Sequence, residues 1–565
     1  QGLPGPNEKV GRIGLAICRD QPDNLYALFT DGFFHTGLYR TKDGGSSWSE
    51  TDPERDLQNG SSNFSWYFGQ VRVNPSNPEN VFVLDVALMG SEDGGRNWPV
   101  FESGGLAGPH VDHHALAFHP QNPNRIIDGN DGGIYLSNDA GQNWQKSKAL
   151  PVTQFYHITH DPSNPERLYG GTQDNGTVRT NTGGTNDWQR ILGGDGFYAL
   201  IDPQDPDIIY AESQFGNLAK SINGGKDWTT ILNGINTLEP TNWSTPVIFD
   251  QNDPQKLYYG THSVYKTWNG GESWRKFSPK LTDFVTGRRI GTITSIAPAS
   301  SDTSVVYIGT DDALVWVTED AGETWREISE DLPYRWVTRV RIDPLDAKTA
   351  YVTFSGLKWN SPQPHVFLTN NMGASWQDIS ANLPDAPVNS IIIDPQNRNA
   401  LFVATDVGVF YSENAGNSWS PLGRGMPMVS VYDFVIDKTN RYLIAGTHGR
   451  SMYRISIDAI TSVRDFEMEA PIESFALDQN YPNPFNAETI IEFILSQSEH
   501  ITLKIFNTLG QEVVELVSEK RSAGLHTLRW NGTDANSMDV PSGMYIYQMA
   551  AASGQIAKRR MVMLR

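Results

Sequence analysis

The octapeptide Thr41-Lys-Asp-Gly-Gly-Ser-Ser-Trp48 is written nine times, with small changes, along about four-fifths of the chain. Seven further copies span 91–98, 137–144, 221–228, 267–274, 318–325, 369–376 and 412–419, and a stretched copy spans 180–188. Successive copies start 41 to 51 residues apart. A period of this size, carried by short strand-like segments, is typical of the blades of a β-propeller.

Each copy, here called a box, has the residues of a tight turn. Its third position is Asp in four copies, Asn in four and Thr182 in the stretched copy. Asn and Thr do not ionise, so we interpret this position as a structural acceptor for backbone N–H groups rather than as an acid or base. The glycines supply positive φ, and the Trp supplies a large apolar face for packing between sheets. The structural positions are Asp43, Asp93, Asp139, Asn223, Asn269, Asp320, Asn371 and Asn414.

A second phrase precedes each box: an apolar strand, a turn with Asp-Pro or Asn-Pro, and another strand. The segments 71–83 and 158–169 are clear examples. Each unit therefore predicts strand A, Pro turn, strand B, loop, strand C, box and strand D. Ten units fill residues 11–457, and the last lacks an obvious fourth strand. They fit one large ring, or a seven-bladed ring after a split near 150 plus a partial one.

Composition excludes several classes of protein. The formal charge of −21 argues against nucleic acid as a partner, because binding there depends on Lys and Arg neutralising phosphates. No apolar run is long enough for a transmembrane helix. Cys18, the single cysteine, lies in an apolar run and is expected to be a buried thiol. The start at Gln1 fits a mature secreted chain or a fragment that lacks upstream sequence.

The repeat ends before the C-terminus. Residues 458–475 are acidic and read as a linker, and 476–565 read as a separate all-β module. Alternating apolar residues and Gly-containing turns predict a small Ig-like sandwich. Its expected strands are Glu488–Leu495, Ile501–Asn507, Glu512–Leu516, His526–Trp530, Met544–Ala550 and Met561–Leu564.

The box and its spacing resemble those of the Asp-box (BNR-like) propellers, which include sialidases, xyloglucanase-type glycoside hydrolases, the sortilin ectodomain and photosystem assembly factors. The run of motifs, including His110-Val-Asp-His-His114 and Gly446-Thr-His-Gly-Arg450, looks most like secreted bacterial propellers of the sortilin-like or glycosyl-hydrolase-like kind. The resemblance implies an all-β propeller strongly and an activity weakly, because the box occurs with unrelated functions. The cysteine-rich segment that follows the sortilin ring has no counterpart here.

The C-terminal module resembles the sorting domain of the bacterial type IX secretion system. The matching motifs are Asn480-Tyr-Pro-Asn-Pro-Phe-Asn486, Ile505-Phe-Asn-Thr-Leu-Gly-Gln511 and Ser542-Gly-Met-Tyr545. This resemblance implies export across the outer membrane, by the secretion machinery acting on 476–565, to the medium or the outer cell surface. An ordinary Ig-like accessory domain is the alternative.

In the expected blade, the D-to-A and B-to-C loops lie at the channel mouth, where a rigid scaffold commonly places its functional residues. These loops are rich in His and carboxylates. The candidate catalytic residues are Asp112, Asp131, Asp174 and Asp195. The candidate ligand-binding residues are His110, His113, His114, Asn130, Gln173, Asn175, His448 and Arg450, with Asp311, Asp312 and Asp406 in equivalent loops.

Three interpretations of the mouth stay open. Two carboxylates can serve as acid and base across a sugar, or His110–His114 with Asp131 and Asp174 can hold a metal ion, although no cofactor is required. Alternatively, these side chains cap loops. A sialidase would need an arginine triad, with Arg12, Arg288, Arg289, Arg339 and Arg450 as candidates, but ten units exceed its six blades. A xyloglucanase would need two seven-bladed rings, more than ten units can build.

Five aromatic side chains near strand starts or loops could stack on sugar rings, although each also suits ordinary packing between blades. They are Trp66, Tyr67, Trp243, Trp336 and Trp359. The sequence thus predicts a secreted or surface-attached propeller whose mouth binds an extracellular polymer, with a glycan preferred and hydrolysis open. The alternative is a non-catalytic protein-interaction or extracellular assembly module of the sortilin-like kind.

Overall fold

The structure, a computed structural model, describes residues 1–5, 10–52, 56–101, 108–148, 150–285, 289–361, 363, 365–423, 425–462, 475–486, 488–495, 497–522 and 524–564. Two compact units make up the chain. Unit 1 comprises 1–279 with 449–451, and unit 2 comprises 280–448 with 452–565.

Unit 1 has six four-stranded antiparallel sheets in its described residues, each built from consecutive strands and here called blades 1 to 6. Blade 1 contains β1 (Ile13–Ile17), β2 (Leu25–Thr30), β3 (His35–Thr41) and β4 (Ser49–Glu50). Blade 2 contains β5 (Gln70–Val73), β6 (Val81–Leu84), β7 (Leu88–Ser91) and β8 (Val100–Phe101). Blade 3 contains β9 (His113–His119), β10 (Asn122–Asn130), β11 (Gly133–Ser137) and β12 (Gln145–Lys146). A short helix, α1 (Asp56–Asn59), lies between blades 1 and 2 in the chain.

Blades 4 to 6 complete this unit. Their strands are β13 (Phe155–Asp161), β14 (Asn164–Thr172), β15 (Gly176–Thr180), β16 (Gln189–Leu192); β17 (Gly196–Ile201), β18 (Ile209–Ser213), β19 (Asn217–Ser221), β20 (Thr229–Thr230); and β21 (Val247–Asp250), β22 (Asp253–Gly260), β23 (Val264–Thr267), β24 (Arg275–Lys276). A 3₁₀ turn, Gln214–Gly216, joins β18 to β19.

Unit 2 continues with a hairpin and blades 7 to 10. The hairpin is β25 (Phe284–Val285) and β26 (Arg289–Ile290). The blades are β27 (Ile293–Pro298), β28 (Val306–Thr310), β29 (Val315–Thr318), β30 (Arg326–Glu327); β31 (Trp336–Asp343), β32 (Asp346–Ser355), β33 (His365–Thr369), β34 (Gln377–Asp378); β35 (Val388–Asp394), β36 (Asn397–Thr405), β37 (Gly408–Ser412), β38 (Ser420–Leu422); and β39 (Val431–Asp437), β40 (Tyr442–Thr447), β41 (Met452–Ser456). A second 3₁₀ turn is Leu357–Trp359.

The predicted ten-unit, all-β organisation is confirmed. Within the described residues, every blade is an antiparallel meander in chain order, and the tenth has three strands, as its sequence predicts. The A-to-B turns close through side chains: Asp161 Oδ1 accepts the N–H of Ser163 at 2.8 Å, and Asp202 Oδ1 accepts that of Gln204 at 2.8 Å. The meander therefore places the B-to-C and D-to-A loops of each blade at one end. Whether the ten blades form one ring or two stays a prediction.

The box closes its own turn and also contacts the preceding blade. In box 1, Asp43 Oδ1 accepts the Ser47 N–H at 2.9 Å and the Thr41 hydroxyl at 2.7 Å. In box 9, the buried Trp419 donates its indole N–H to the carbonyl of Ile379 in blade 8, at 2.8 Å. A box Trp that makes this bond therefore packs one blade against the preceding one.

The stretched box agrees with its prediction in part. Thr182 is an acceptor, as predicted, because its Oγ1 accepts the N–H of Gly184 at 3.1 Å, but the turn has a further acceptor in Asp187, seven residues after Thr180. Its carboxylate accepts the Thr180 hydroxyl at 2.5 Å and the N–H groups of Asn181 and Thr182 at 2.9 and 3.1 Å. The acceptor for these N–H groups therefore lies further along the chain than the third position of the box.

The C-terminal module is a two-sheet sandwich, as predicted. One sheet contains β42 (Ala476–Leu477), β43 (Thr489–Leu495) and β46 (Gly524–Trp530); the other contains β45 (Glu512–Arg521), β44 (Glu499–Asn507), β47 (Gly543–Ala551) and β48 (Ile556–Met563). Trp530, Phe493, Tyr547 and Met561 are buried in its core.

The start of the predicted linker is ordered. Helix α2 (Ile457–Ser462) begins there, and its Ile457 and Ile460 pack into the core of blade 10. The remaining linker residues up to 474 lie outside the described residues. Cys18 is buried, as predicted. Among the described residues, no helix is long and apolar enough to cross a membrane.

Candidate active site

Three of the four candidate catalytic aspartates meet in unit 1. Asp112 precedes β9, Asp131 lies in the turn between β10 and β11, and Asp174 lies between β14 and β15. One carboxylate oxygen from each lies within 4.8 Å of the other two. The loops of blades 3 and 4 thus bring together residues up to 62 positions apart in sequence, and we call these three residues the acidic trio.

Unusual backbone conformations aim two of the three side chains. Asp112 and Asp174 adopt positive φ, 67° and 61°. Non-glycine residues enter this region seldom, Asp more readily than most, and such conformations concentrate at functional sites. Gly132, next to Asp131, is required for a different reason: a Cβ there would lie 2.3 Å from the Cβ of His110.

Electrostatics set the trio apart from the box aspartates. Burial, followed by the charges of Asp131 and Asp195, raises the pKa of Asp174 to about 7. Burial and the charge of Asp131 also raise the pKa of Asp112. In contrast, hydrogen bonds from Ser47 and Thr41 lower the pKa of Asp43 to about 2. A carboxyl that keeps a proton near neutral pH beside an ionised one is the pattern of a proton donor.

Asp195, the fourth candidate, supports the trio. It is buried, and it accepts the backbone N–H of Asp174 and, at 2.6 Å, the Nε2 group of Gln214. These bonds hold the Asp174 turn and place a negative charge behind it. We therefore assign Asp195 a positioning role.

The histidines of the His110–His114 motif separate into three environments. His110 bonds through Nε2 to the carbonyl oxygen of Asp174 at 3.1 Å, and His114 Nε2 donates to Asp131 Oδ1 at 2.7 Å. His113 is fully buried, with Nδ1 2.8 Å from Asp128 Oδ2. His113 is predicted to bind ligand, and this stays a prediction; in the structure its side chain is buried and bonded to Asp128.

Asn130 and Asn175 serve the loops. Asn130 donates to Asp128 Oδ2 at 2.7 Å and accepts the Gly132 N–H at 2.9 Å, and its predicted ligand role stays a prediction. Asn175 Nδ2 donates to the carbonyl of Asp131 at 2.8 Å, which ties blade 4 to blade 3. Gln173 accepts the hydroxyl of Tyr156 at 3.0 Å beside the trio.

The last two ligand candidates lie near the end of blade 10 in the chain. His448 belongs to unit 2, where its ring stacks on Tyr432 with centroids 4.5 Å apart. Arg450 belongs to the short segment of unit 1 and is exposed.

The equivalent loops of unit 2 hold carboxylates that are already bonded. Asp311 accepts the N–H of Thr292 at 2.6 Å and its hydroxyl at 2.8 Å, Asp312 accepts the N–H of Asp283 at 2.5 Å, and Asp406 accepts the Asn389 amide at 2.9 Å.

The arginine candidates are engaged differently. Arg339 forms a buried ion pair with Asp433 at 3.0 Å in unit 2. In unit 1, Arg12 donates to the carbonyl of Tyr67. Arg288 and the side chain of Arg289 lie outside the described residues. A buried ion pair is poorly suited to grip a substrate carboxylate, because the guanidinium is already neutralised.

Aromatic side chains flank the trio within unit 1. Trp66 and Tyr67 are 50% and 53% exposed, and Trp243 is 37% exposed. In unit 2, Trp336 and Trp359 are partly buried, with Lys358 3.9 Å above the Trp336 ring. Exposure leaves the faces of the first three available to a ligand.

Sequence reasoning missed Tyr156, Phe215 and Gln214. Phe215 has a φ of 58° and is 55% exposed beside Trp243, while Gln214 holds Asp195. Nothing in their spacing marks them, since each acquires its role from a neighbouring blade. The sequence feature that could have indicated Phe215 is its position directly before a glycine, Gly216, in a loop.

Among the described residues, the trio is the group whose side-chain ligand atoms lie close enough together to hold a metal ion. Carboxylate oxygens are the ligands that Ca²⁺ and Mg²⁺ take, and Ca²⁺ contacts at about 2.3–2.6 Å would suit oxygens at most about 5 Å apart. The predicted ion between His110 and His114 would therefore sit on Asp112, Asp131 and Asp174, and it stays a prediction.

Parts of the chain are similar to known proteins. Residues 483–555 match the FlgD Ig-like domain family. Among solved structures, YCF48 from Cyanidioschyzon merolae is 13% identical with a TM-score of 0.42, covering 55% of this chain and 97% of that one. The GH74 enzyme of Niastella koreensis is 14% identical with a TM-score of 0.26, covering 97% and 84%.

Curated relatives share part of their length with the chain. A probable oligoxyloglucan-reducing end-specific xyloglucanase of Neosartorya fischeri is 22% identical over 375 residues, which cover 52% of this chain and 43% of the relative. A xyloglucanase of a Paenibacillus species is 24% identical over 310 residues, 44% of this chain and 28% of the relative. The chain thus spans less than half the length of these relatives. The chain is thus similar to xyloglucanases over about half of its own length, and its C-terminal module matches the FlgD Ig-like domain family.

Proposed function

We propose that unit 1 binds an extracellular glycan at the acidic trio and hydrolyses it. The observation that carries this proposal is the convergence of three carboxyls, one of them protonated near pH 7, between exposed aromatic rings. The distant similarity to xyloglucanases supports the glycan as ligand class.

The assigned roles follow from the environments. Asp174 is the general acid that protonates the leaving oxygen, because burial and two neighbouring carboxylates keep its proton in place until a substrate accepts it. Asp131, fixed by His114, carries the negative charge that stabilises the developing positive charge on the sugar. Asp112 completes the trio, and Asp195 fixes the turn that carries the acid.

A screen of glycan binding and hydrolysis by the full chain tests the proposal. Asp174→Asn keeps the shape of the acid and removes its proton donation, so hydrolysis falls by at least about 100-fold while binding persists. Asp112→Ala with Asp174→Ala weakens binding as well. The control is Asp406→Asn in unit 2. Unchanged hydrolysis in Asp174→Asn contradicts the assigned acid, and absence of any glycan binding by the native chain contradicts the whole proposal.

We also propose that residues 476–565 direct export through a type IX secretion system to the medium or the outer cell surface. The motifs from Asn480 to Tyr545 support this, and the match to an Ig-like family describes the same module. A reporter fused to 476–565 is exported by a type IX-competent bacterium and retained by a strain that lacks the system. Export by both strains contradicts the proposal.

A further inference from the structure

One side chain of the C-terminal module lies against a blade of the same unit. Tyr481 belongs to the segment 480–486, and its hydroxyl donates to the carbonyl of Val407 in blade 9. Its ring packs beside Phe410 of β37, with ring centroids 5.9 Å apart. Val407 and Tyr481 both pack against the core cluster that contains Phe410. The backbone of Tyr481 thus belongs to the module, whereas its side chain contacts the blade.

The module fixes the backbone that carries this side chain. The Tyr481 N–H donates to the carbonyl of Ile490 at 2.8 Å, and the Ile490 N–H donates to the carbonyl of Tyr481 at 2.7 Å. The buried Asn480 donates its backbone N–H to the Tyr547 hydroxyl at 2.6 Å and its side-chain amide to the Thr489 hydroxyl at 2.8 Å. A side chain on a fixed backbone loses less entropy when it binds, which favours the contact with blade 9.

Blade 9 fixes the other side of the contact. Val407 lies in the turn between β36 and β37. The Thr405 hydroxyl donates to the carbonyl of Gly408 at 2.9 Å and accepts the Val407 N–H at 3.2 Å. Hydrogen bonds within the blade therefore hold this turn in the shape that Tyr481 contacts.

Gly408 allows the contact to be changed from the side of the blade. Its φ is 121°, and a Cβ there would lie 2.9 Å from the Tyr481 hydroxyl oxygen, which is too close. Gly133 is likewise the first residue of the third strand of its blade, with a φ of 118°. The atom nearest to a Cβ at Gly133, however, is the Cε of Lys146 at 3.9 Å. Alanine thus strains the backbone at both positions but displaces Tyr481 only from Gly408.

We propose that Tyr481 docks the C-terminal module on blade 9 and that this docking controls access to the segment 480–486. A partner that binds the segment through Tyr481 has to displace blade 9 first. Burial raises the pKa of the Tyr481 hydroxyl, which keeps it a hydrogen-bond donor at neutral pH. A buried tyrosine with a bonded hydroxyl is a common anchor of interfaces. The docking is independent of any activity of unit 1 and of what the module directs.

Iodination of tyrosines in the full chain, mapped by mass spectrometry of peptides, tests the docking. Iodine adds to the ring carbon beside the hydroxyl, so we expect slow reaction at Tyr481 and fast reaction at Tyr334, which is 57% exposed. Gly408→Ala should speed the iodination of Tyr481 about tenfold or more, the effect of losing one anchor residue. Gly133→Ala is the matched control and should leave the rate unchanged. Near-ultraviolet circular dichroism checks that each variant is folded.

Hydrogen exchange measured by mass spectrometry provides the reciprocal test in blade 9. Tyr481→Ala removes the ring and the hydroxyl, so we expect faster exchange in the peptide that covers 405–411. Tyr481→Phe loses the hydroxyl alone and should change the exchange less. Tyr545→Phe is the control, because the Tyr545 hydroxyl donates to the carbonyl of Pro541 inside the module, at 2.7 Å.

Protection of Tyr481 that Gly408→Ala removes and Gly133→Ala keeps supports the docking, as does faster exchange at 405–411 in Tyr481→Ala. Iodination of Tyr481 in the native chain as fast as that of Tyr334 overturns it, and so does equal protection in the two alanine variants. Exchange that is the same in Tyr481→Ala and Tyr545→Phe overturns it even where Gly408→Ala does not fold. Protection that falls when the native chain is diluted assigns the contact to a second copy and overturns docking within one chain.

Discussion

Asp174 and Asp131, on neighbouring blades, approach closely enough for the protonated carboxyl of one to hydrogen-bond to the carboxylate of the other. In sequence they are separated by most of a repeat, each followed by a glycine-containing turn. Burial, together with the nearby charges of Asp131 and Asp195, raises the pKa of Asp174 to about 7, whereas hydrogen bonds lower the pKa of the box aspartates Asp43, Asp93, Asp139 and Asp320.

The first prediction concerns stability against pH. Because the pKa of Asp174 is about 7 in the folded chain and near 3.8 when unfolded, the folded state holds the extra proton between these values, and this group makes stability fall as pH rises from about 4 to 7. Asp174→Asn cannot ionise, so at pH 8 it should be more stable than the native chain by about 1–2 kcal/mol. Urea unfolding at pH 4.5 and pH 8 measures this, and an equal difference at both pH values contradicts it.

The second prediction concerns the box Trp. Trp419 is buried, and its N–H bonds to the Ile379 carbonyl of the preceding blade. Trp419→Ala leaves a cavity and an unpaired carbonyl, so unit 2 should lose about 3–5 kcal/mol. Trp419→Phe keeps part of the packing and should lose less. Urea midpoints of both variants measure the effect, with the exposed Trp268→Ala as control; similar midpoints for the Ala variants at 419 and 268 would show that the box does not join blades.

The third prediction concerns a buried pair in blades 1 and 2. His35 and Asp85 are both fully buried at 2.8 Å, and Ser65 donates to Asp85 at 2.6 Å. Burial opposes ionisation of Asp85, but hydrogen bonds from His35, Ser62 and Ser65 outweigh it and lower the pKa. A lowered carboxyl pKa stabilises the fold above its unfolded value near 4, and this stabilisation is lost as pH falls further.

Asp85→Asn should therefore cost about 3–5 kcal/mol at pH 7 and much less at pH 3. Intrinsic Trp fluorescence during urea unfolding at both pH values provides the measurement. A loss that is the same at both would assign the pair a packing role without an electrostatic one.

The fourth prediction concerns the metal expectation. An ion held by Asp112, Asp131 and Asp174 binds the folded state alone, so excess Ca²⁺ after EDTA treatment should raise the melting temperature. Asp112→Asn removes a ligand charge and should abolish the shift, while Asp43→Asn, in a box, should keep it. Calorimetry of the three proteins decides the matter: a native melting curve indifferent to Ca²⁺ and Mg²⁺ contradicts a metal site at the trio.

The sequence was most informative about local features. Turn closure depends on residues four or five apart, so the boxes, the Asp-Pro turns and the strands between them follow from composition and spacing. The stretched box shows where this ends: Thr182 accepts one N–H, as its position predicts, but the spacing did not indicate that Asp187 accepts the Thr180 hydroxyl.

The position of the mouth loops could be predicted from the sequence, but the placement of their individual side chains could not. Their position follows from the meander, and Asp112, Asp131 and Asp174 were among the candidates. Sequence spacing, however, did not separate them from His113 and Asn130 in the same loops, because neighbouring strands decide which side chains are buried and which meet.

The amino-acid sequence by itself therefore determined the repeat, the blade and the C-terminal sandwich, since the apolar alternation and turn residues that indicate their strands are local. The tertiary structure alone decided the pKa of Asp174 and the supporting role of Asp195. These depend on contacts between blades, where burial and the approach of like charges change the chemistry of a residue without changing its identity.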